Sequence, residues 1–366
     1  MFVMKSLPTS SFKRTLVTFV VVTVLSVVAA YYYVFGFSRP YSPLVRPQDD
    51  VLRPNLPHPT AFLPVDEVFK APWVSELRRF LESCSPNTVT LTAASQDYAP
   101  NLLNWLIAAL ATVEPPLLNV LVLSFDANLT RLLVSKGIGS IHVPYSSVVA
   151  DPDRIGIGKI WMTRLAVLRI INYFGFNVYQ FDTDAIVLRN PQPVFDLYKS
   201  SSVVSARAML PFELGKGRWG FTASMGAVLF RSTLHTEQLW FTMHNLTSEM
   251  SRRHMDDQYR LNFALDAMGL TWQTAERRFD KENTGICPNG FKITVLPPVY
   301  ICRKVCTVKK GIPYYIWHQS GGNHSANSKL QQSTSVNRWN LRKDWQHMTN
   351  STLTGKAWLR SLSIYS

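Results

Sequence analysis

The sequence predicts an α/β fold, in which a mostly parallel sheet is flanked by helices and preceded by a single transmembrane helix. Strand-like and helix-like segments alternate from Asn87 onward, a rhythm typical of βαβ units. The most regular unit is a broad-faced helix over residues 159–174, which ends at Gly175 and leads into a β-prone run over residues 177–181. Upstream, residues 15–38 carry no charge and are long enough to span a bilayer.

These patterns divide the chain into four predicted regions. Residues 1–14 are basic and contain no acidic side chain, which predicts a cytoplasmic tail. Residues 15–38 are predicted to be an uncleaved signal-anchor, because the apolar run exceeds the roughly 7–15 residues of a signal-peptide core; a cleaved signal peptide is the alternative. Residues 39–85 are predicted to form a proline-rich stem with an amphipathic helix after residue 65, and residues 86–366 to form a luminal domain.

The composition fits a folded luminal body. Hydrophobic residues make up 46% and aromatic residues 12% of the 366 residues, which is ample for a core. The net charge is +14, but no Lys/Arg run with interleaved aromatic residues occurs, so no nucleic-acid partner is predicted. Four N-x-Ser/Thr tripeptides follow the anchor, at Asn128, Asn245, Asn323 and Asn350.

The four cysteines also lie beyond the anchor. An oxidising compartment would allow two disulfides, in one of three connectivities. A zinc site is not expected, because the chain has no paired C-x-x-C pattern. The cysteines are Cys84, Cys287, Cys302 and Cys306.

Taken in order, the elements place an acidic pair at the end of the fourth strand. The predicted strands cover residues 88–93, 119–125, 138–143, 177–181, 201–209, 224–231, 291–296 and 314–318. The predicted helices cover residues 101–113, 127–136, 159–174, 234–250 and 256–265. From Gly321 onward the chain is polar, and we expect a tail there.

Asp182 and Asp184 follow the fourth strand and are separated by one residue. On an extended backbone such residues share a face, so both carboxylates can reach one point just beyond the strand. Two adjacent anions repel each other, and the arrangement is favourable mainly when a hard divalent cation lies between them. The carboxyl end of the strands is also where open α/β sheets bind ligands.

Three further positions are candidates for the same site. His318 ends a strand and could be a third metal ligand. Lys159 begins a helix after two glycines, where an anion would be favoured. Asp257 and Gln258 begin another helix and could face a substrate, although the acidic start of this helix is equally typical of an N-cap. Arg164, on the helix before the acidic pair, is expected to be solvated.

These motifs resemble a known family. A single anchor, a proline-rich stem and a helix–strand–Asp-x-Asp unit followed by Leu-Arg-Asn-Pro resemble Golgi glycosyltransferases of the GT-A (Rossmann-like) fold. Residues 175–191 are similar to the nucleotide-diphospho-sugar transferase family, which includes plant rhamnogalacturonan xylosyltransferases and extensin arabinosyltransferases. The resemblance covers roughly residues 88–345, and Ser95 and Ser224 stand where the family pattern has Asn. Further matching positions are Thr92, Tyr98, Asn104, Trp105, Leu106, Gly226, Phe230, Arg231, Ser232, Asp257, Gln258, His318, Lys329 and Trp339.

The resemblance implies a metal-dependent glycosyltransferase on the Golgi membrane, of type II topology with its catalytic domain in the lumen. It would move a sugar from a nucleotide diphosphate, expected to be a UDP-sugar, to a glycan or glycoprotein acceptor with retention of configuration. The cofactor implied is Mn²⁺ or Mg²⁺. The residues implicated are Asp182, Asp184 and His318 for the metal, Thr92, Ser95, Tyr98, Lys159, Asp182 and Lys329 for the nucleotide sugar, and Asp257 and Gln258 for catalysis.

Two other interpretations remain open from the sequence. Phe-Asp-Thr-Asp over residues 181–184 also resembles the nucleophile motif of haloacid-dehalogenase phosphatases. That motif normally ends the first strand of its domain, whereas about three strands precede it here, and position 186 is Ile where Thr or Val is expected. The other alternative is a non-catalytic, membrane-tethered glycan-binding protein.

Overall fold

A computed structural model describes residues 65–148, 157–249, 256–273, 281–303, 314–319, 325–335 and 338–364. The chain divides into two units, Met1–Leu56 and Pro57–Ser366, and every described residue falls in the second. The predicted cytoplasmic tail, the signal-anchor and the stem as far as residue 64 lie outside the described residues. Within the described ranges, no helix has the length and apolar character needed to cross a membrane.

Twelve strands occur in the described part of the chain and form two sheets. The larger has the order β3-β2-β1-β4-β7-β6-β10-β9-β8, and the smaller has the order β11-β12-β5. The strands are β1 (Thr88–Ala94), β2 (Val120–Ser124), β3 (Gly139–His142), β4 (Asn177–Phe181), β5 (Ala185–Val187), β6 (Val203–Ala208), β7 (Thr222–Phe230), β8 (Thr271–Trp272), β9 (Asn283–Ile286), β10 (Lys292–Val295), β11 (Ile301–Arg303) and β12 (Ile316–His318).

The large sheet is mixed, which corrects the prediction of a mostly parallel sheet. Strands β3, β2, β1 and β4 are parallel neighbours, as the βαβ rhythm predicts. Strand β7 is antiparallel to both β4 and β6, while β10 is parallel to β6 and antiparallel to β9. The difference arises because residues 209–221, which include the π-helical stretch Glu213–Arg218, lead the chain back along the neighbouring edge of β6 in the opposite direction.

Helices cover both faces of this sheet, as expected for an α/β fold. Leu77, Leu165 and Leu261 belong to the core on one face, and Leu102 and Trp358 to the core on the other. In the described ranges the helices are α1 (Val65–Phe69), α2 (Pro72–Glu82), α3 (Ala99–Leu106), α4 (Ala127–Ser135), α5 (Ile157–Tyr173), α6 (Gln192–Asp196), α7 (Leu234–Glu249), α8 (Asp257–Ala267), α9 (Ala326–Ser335) and α10 (Gly355–Ser361).

Local signals in the sequence define several of these helices. The Asp126 side chain caps α4 by accepting from the Asn128 and Leu129 amides. Gly175, just after α5, has the positive φ of +88° that a left-handed helix end requires, as predicted. The predicted helix over residues 101–113 is instead α3 followed by a π-helical stretch, Ile107–Thr112.

Two segments assigned to the periphery belong to the folded body. Helix α2 buries Trp73 and Leu77 in the core, and the Trp73 indole donates to the Ser147 hydroxyl at 2.9 Å. The body therefore includes residues that the sequence prediction gave to the stem. In the expected polar tail, α10 buries Trp358 and Leu359 completely. In both segments the few apolar residues are surrounded by polar ones, so their sequences do not show that they pack in the core.

The cysteines do not form two disulfides. Cys84 and Cys287 are buried free thiols, whereas Cys302 is disulfide-bonded. Burial raises the pKa of both free thiols to about 11. They therefore act as small apolar core residues.

Candidate active site

The acidic pair lies at the carboxyl end of β4, in the middle of the large sheet. The Asp182 amide donates to the Gly226 carbonyl on β7 at 2.9 Å, which extends the pairing of the two strands by one step. The Ala185 amide then donates to the Asp182 carbonyl at 2.9 Å, so the chain turns sharply between β4 and β5. This turn brings Asp184 back beside Asp182.

A third residue, His318, is brought to the same point by the small sheet. Strand β12 pairs antiparallel with β5, and His318 lies opposite Ala185. Its Nε2 is 3.4 Å from Asp184 Oδ1 and 3.7 Å from Asp182 Oδ2. One potential ligand atom from each of the three residues lies within 4.8 Å of the others. This oxygen–oxygen–nitrogen set could hold a divalent metal ion. Asp182, Asp184 and His318 are called the metal-binding group below, and the space between their three ligand atoms is called the metal-binding point.

Each carboxylate of the pair holds its second oxygen against a cation from the chain. Arg164 on α5 donates to Asp182 Oδ1 at 2.5 Å, and Lys329 on α9 donates to Asp184 Oδ2 at 2.5 Å. The oxygens facing His318 are the other two, Asp182 Oδ2 and Asp184 Oδ1. The cations therefore orient the carboxylates and leave one oxygen of each directed at the metal-binding point.

Gly226 forms a close boundary of this point. A Cβ at this position would lie 2.0 Å from His318 Cε1, 2.6 Å from its Nε2 and 2.8 Å from Asp182 Oδ2. Any side chain would therefore displace the ligand atoms. The family pattern in the sequence includes this glycine, and the structure supplies its physical reason.

The charges of Asp184 and Arg164 are each stabilised by the ionised side chains around them. Burial alone would raise the pKa of Asp184, but His318 and Lys329 more than offset this effect and hold that pKa below its usual range. Burial would likewise lower the pKa of Arg164, but Asp257 and Asp182 together raise it above its ordinary value. Asp184 and Arg164 are therefore both charged at neutral pH.

The second acidic position is joined to the first by Arg164. Its Nε donates to Asp257 Oδ2 at 2.8 Å, and its Nη2 donates to the same oxygen. Asp257 is almost completely buried, and that burial raises its pKa, with Arg164 opposing the rise. Asp256, next to it, is the N-cap of α8, and its carboxylate accepts from the backbone N–H of Gln258 at 2.7 Å, as the N-cap interpretation predicts.

A comparison with known families identifies the chain. A family model described as nucleotide-diphospho-sugar transferase matches residues 117–332. The chain belongs to the nucleotide-diphospho-sugar transferase family. The matched range contains Asp182, Asp184, His318 and Lys329, so the metal-binding group and its Lys329 neighbour lie inside it. The chain is thus a glycosyltransferase of GT-A type, which favours transfer over the phosphatase and non-catalytic alternatives.

Solved structures of glycosyltransferases align with this transferase at low identity. The galactosyltransferase LgtC is 13% identical over 71% of this chain and 99% of its own, with a TM-score of 0.43. Mouse xyloside xylosyltransferase 1 is 11% identical over 65% of this chain and 98% of its own, with a TM-score of 0.41. The glycosyltransferase GlyE of Streptococcus pneumoniae TIGR4 is 14% identical over 75% of this chain and 65% of its own, with a TM-score of 0.37. No curated protein sequence matches the chain.

Three of the predicted nucleotide contacts of this transferase, Thr92, Ser95 and Tyr98, lie before the matched range, at or near the carboxyl end of β1. Ser95 follows β1 and Tyr98 ends the short 3₁₀ turn Gln96–Tyr98. Burial raises the pKa of Tyr98, and the charges of Asp184, Asp182 and Asp97 raise it further. Thr92 is completely buried, and its hydroxyl has no hydrogen-bond partner in the described structure.

Two other predicted site residues of the transferase, Lys159 and Gln258, lie outside the charge contacts described above. Lys159 lies in the first turn of α5 and is half-buried, and the charge contacts made by Asp182 and Asp184 in the described structure do not include it. Gln258 donates its side-chain amide to the Leu210 carbonyl at 2.9 Å, which fixes its orientation beside Asp257. Charge contacts, made directly or through Arg164, join five of the ten predicted residues: Asp182, Asp184, Asp257, His318 and Lys329. The charges of Asp184 and Asp182 also act on the Tyr98 phenol. The other four, Thr92, Ser95, Lys159 and Gln258, take no part in these charge contacts.

Sequence reasoning missed two residues of the site. Arg164 was expected to be solvated, but it is buried and bridges the two acidic positions. The available signal is its place between Met162 and the apolar run Leu165–Leu168, on a helix with a broad apolar face. Gln319 is also buried, its amide N–H donates to the Asp184 carbonyl at 3.3 Å, and neither polar atom of its side chain has a partner in the described structure. No sequence pattern singled it out.

Proposed function

We propose that this transferase is metal-dependent, uses a UDP-sugar as donor and transfers the sugar with retention to a glycan or glycoprotein acceptor. We also propose that it works in the Golgi lumen on a type II signal-anchor at residues 15–38. Family membership supports the nucleotide-sugar part of this proposal. The anchor and the compartment depend on the uncharged N-terminal segment and its basic flank.

The observation that carries the proposal is the geometry of Asp182, Asp184 and His318. Two carboxylate oxygens and one imidazole nitrogen within 4.8 Å of one another suit Mn²⁺ or Mg²⁺. The residues fit such an ion in two further respects. Gly226 keeps the ligand side of the group clear of any Cβ, and Arg164 and Lys329 hold only the oxygens directed away from His318.

The chemistry of sugar transfer explains this charge distribution. Breaking the bond to the anomeric carbon leaves negative charge on the diphosphate and positive charge on the sugar ring. When bound, the divalent ion acts as a Lewis acid for the departing diphosphate. Lys329, held beside Asp184, adds a cation on the same side and can donate a charge-assisted hydrogen bond to a phosphate oxygen.

The sugar side of the reaction is assigned to Asp257 and Gln258. Both residues lie at the start of α8, and Arg164 ties Asp257 to the metal-binding group. A fixed carboxylate can orient donor hydroxyls and stabilise a cationic ring. Gln258 is oriented by Leu210 and can present its amide to the same sugar. Tyr98, whose pKa is raised by burial and by the charges of Asp184 and Asp182, is assigned to the nucleotide together with Ser95 at the start of the same turn.

A donor-hydrolysis screen tests the proposal directly. The full chain, purified in detergent, is incubated with a panel of nucleotide sugars with and without Mn²⁺, because many transferases slowly hydrolyse their own donor. We expect one UDP-sugar to be turned over, with activity lost in EDTA and restored by Mn²⁺. Asp184→Asn should lower this activity by at least about 100-fold.

A matched control separates the metal role from a general loss of charge. Asp344 is an exposed acid paired with Arg342, so Asp344→Asn should retain full activity. Full activity of Asp184→Asn, or undiminished turnover in EDTA, would end the metal-dependent proposal. Turnover of a phosphomonoester with a trapped aspartyl-phosphate would instead support the phosphatase alternative.

A further inference from the structure

One stripe of α7 faces outward and ends in an N-glycosylation tripeptide. Gln238, Phe241, Thr242 and Asn245 follow the spacing i, i+3, i+4 and i+7, so they share one face of the helix. Phe241 is 60% exposed, and Asn245 is exposed as well. Asn245-Leu-Thr is one of the four sequence tripeptides, and nothing in the transfer chemistry uses it.

A cleft of about 420 Å³ opens beside this stripe. Its volume falls within the range of roughly 300–1,000 Å³ typical of pockets that hold small ligands. Phe241 and Met268 supply apolar surface, and amide, carboxylate and hydroxyl groups surround them. The lining residues are Glu237, Gln238, Phe241, Thr242, Met268 and Asn289.

The polar groups of the cleft are held in place by one another. Asn289 donates its side-chain amide to Gln238 Oε1 at 2.7 Å, and Arg169 donates to Glu237 Oε1 at 2.6 Å. An apolar surface bordered by fixed amides and a carboxylate matches a hexose ring, which has one C–H face and a rim of hydroxyl and acetamido groups. The chemistry of the cleft therefore fits a sugar.

Asn245 is positioned to supply that sugar from the chain itself. Helical side chains lean toward the N-terminus, so a group attached to Asn245 extends over the preceding turn, where Phe241 lies. The distance is a single helical turn, about 5–6 Å between Cβ atoms. A sugar linked to Asn245 would consequently reach the ring of Phe241 and the mouth of the cleft without any rearrangement of the helix.

We propose that Asn245 carries an N-linked glycan whose first N-acetylhexosamine packs on Phe241 and occupies this cleft. The inference rests on the luminal placement included in the proposed function. Attachment forms a bond between Asn245 Nδ2 and C1 of the sugar and breaks the bond from C1 to a lipid-linked diphosphate. The displaced diphosphate takes up the amide proton.

The glycan lies away from the reaction centre. Helix α8 begins at Asp257 in the site and ends at Ala267, one residue before Met268 in the cleft. At 1.5 Å per residue, its 11 residues separate the two by about 16 Å. The glycan therefore stabilises the α7–α8 face of the fold, and its loss leaves donor turnover unchanged.

The experiment uses the full chain made in eukaryotic secretory cells and purified in detergent. Occupancy of each tripeptide is read by mass spectrometry after enzymatic deglycosylation in heavy-oxygen water. The unfolding temperature is then measured before and after deglycosylation. We expect Asn245 to be occupied and its glycan to raise the unfolding temperature by about 2 °C or more.

The exposed Phe241 allows the contact itself to be tested without disturbing the core. In Phe241→Ser the glycan at Asn245 should remain attached, but its removal should no longer lower the unfolding temperature. Asn128 provides the control, because it is exposed in the first turn of α4 and so has no preceding helical turn to carry an aromatic ring beneath an attached sugar. Asn128→Gln should leave the unfolding temperature unchanged, whereas Asn245→Gln should lower it.

The outcomes separate this inference from the proposed function. Occupancy at any of the other three tripeptides, Asn128, Asn323 or Asn350, without occupancy at Asn245 overturns the inference alone. An equal thermal shift in wild type and Phe241→Ser also overturns it, as would filling of the cleft by a second copy of the chain. If none of the tripeptides is modified, the inference and the luminal placement both fail, while the donor-hydrolysis screen still decides the transfer activity independently.

Discussion

Gly226→Ala is the sharpest test of the metal-binding geometry. The new Cβ would lie 2.0 Å from His318 Cε1, whereas an ordinary contact begins near 3.4 Å. The imidazole would therefore have to retreat by about 1.4 Å. Metal–ligand distances tolerate only about 0.2 Å, so His318 would cease to be a ligand. We expect the affinity for Mn²⁺ in the presence of UDP, measured by titration calorimetry, to fall by at least about 10–100-fold.

The chain offers a close control for this substitution. A Cβ at Gly217 would meet nothing within 4 Å, so Gly217→Ala adds the same methyl group without a contact and should bind Mn²⁺ normally. A thermal unfolding scan shows whether Gly226→Ala remains folded. If the clash acts through His318, adding Gly226→Ala to His318→Ala should cost little further affinity. Normal Mn²⁺ binding by a folded Gly226→Ala protein would refute the proposed ligand geometry.

Three further predictions concern buried charges and thiols. Arg164→Met should destabilise the fold by about 3–5 kcal/mol in urea denaturation, because it leaves Asp257 buried without its partner, and adding Asp257→Asn should recover part of the loss. Burial and two neighbouring arginines lower the pKa of His244 to about 4. Only the unfolded chain takes up a proton there between about pH 6.5 and 4, so stability should fall by about 2 kcal/mol from pH 7 to 5, and less in His244→Asn. Cys84 and Cys287 should resist alkylation at pH 8 until the protein unfolds, as mass spectrometry of native and denatured samples would show.

Local patterns in the sequence predict the first half of the fold well. The alternation of apolar runs and helices identifies β1 to β4, and Gly175 marks the end of α5. The prediction that Asp182 and Asp184 reach one point agrees with the structure, but its reason is wrong: it relies on an extended backbone, whereas a turn closed by the Ala185 amide and the Asp182 carbonyl brings the two together. These features depend on neighbouring residues, which is why one sequence is enough.

Features set by distant contacts could not be predicted in the same way. The direction of β7 depends on how residues 209–221 return along β6, and no local periodicity encodes it. Arg164 looks like an ordinary helix charge until Asp182 and Asp257 are placed on either side of it. Gln319 belongs to no sequence motif. It is recognised only in the structure, where it is buried beside Asp184 and neither polar atom of its side chain has a hydrogen-bond partner among the described residues.

The charges around the metal-binding group determine what the site can attract. When all are ionised, the carboxylates of Asp182, Asp184 and Asp257 outnumber the cations of Arg164 and Lys329 by one, so the group favours a cation. A bound divalent ion would change the net charge of these groups from negative to positive. The site would then attract a diphosphate, which it would repel without the ion. Burial strengthens both interactions, because water screens them less than at an exposed surface. In the proposed mechanism Arg164 and Lys329 would therefore balance the local charge: without them three ionised carboxylates would hold the ion but would still repel its diphosphate partner.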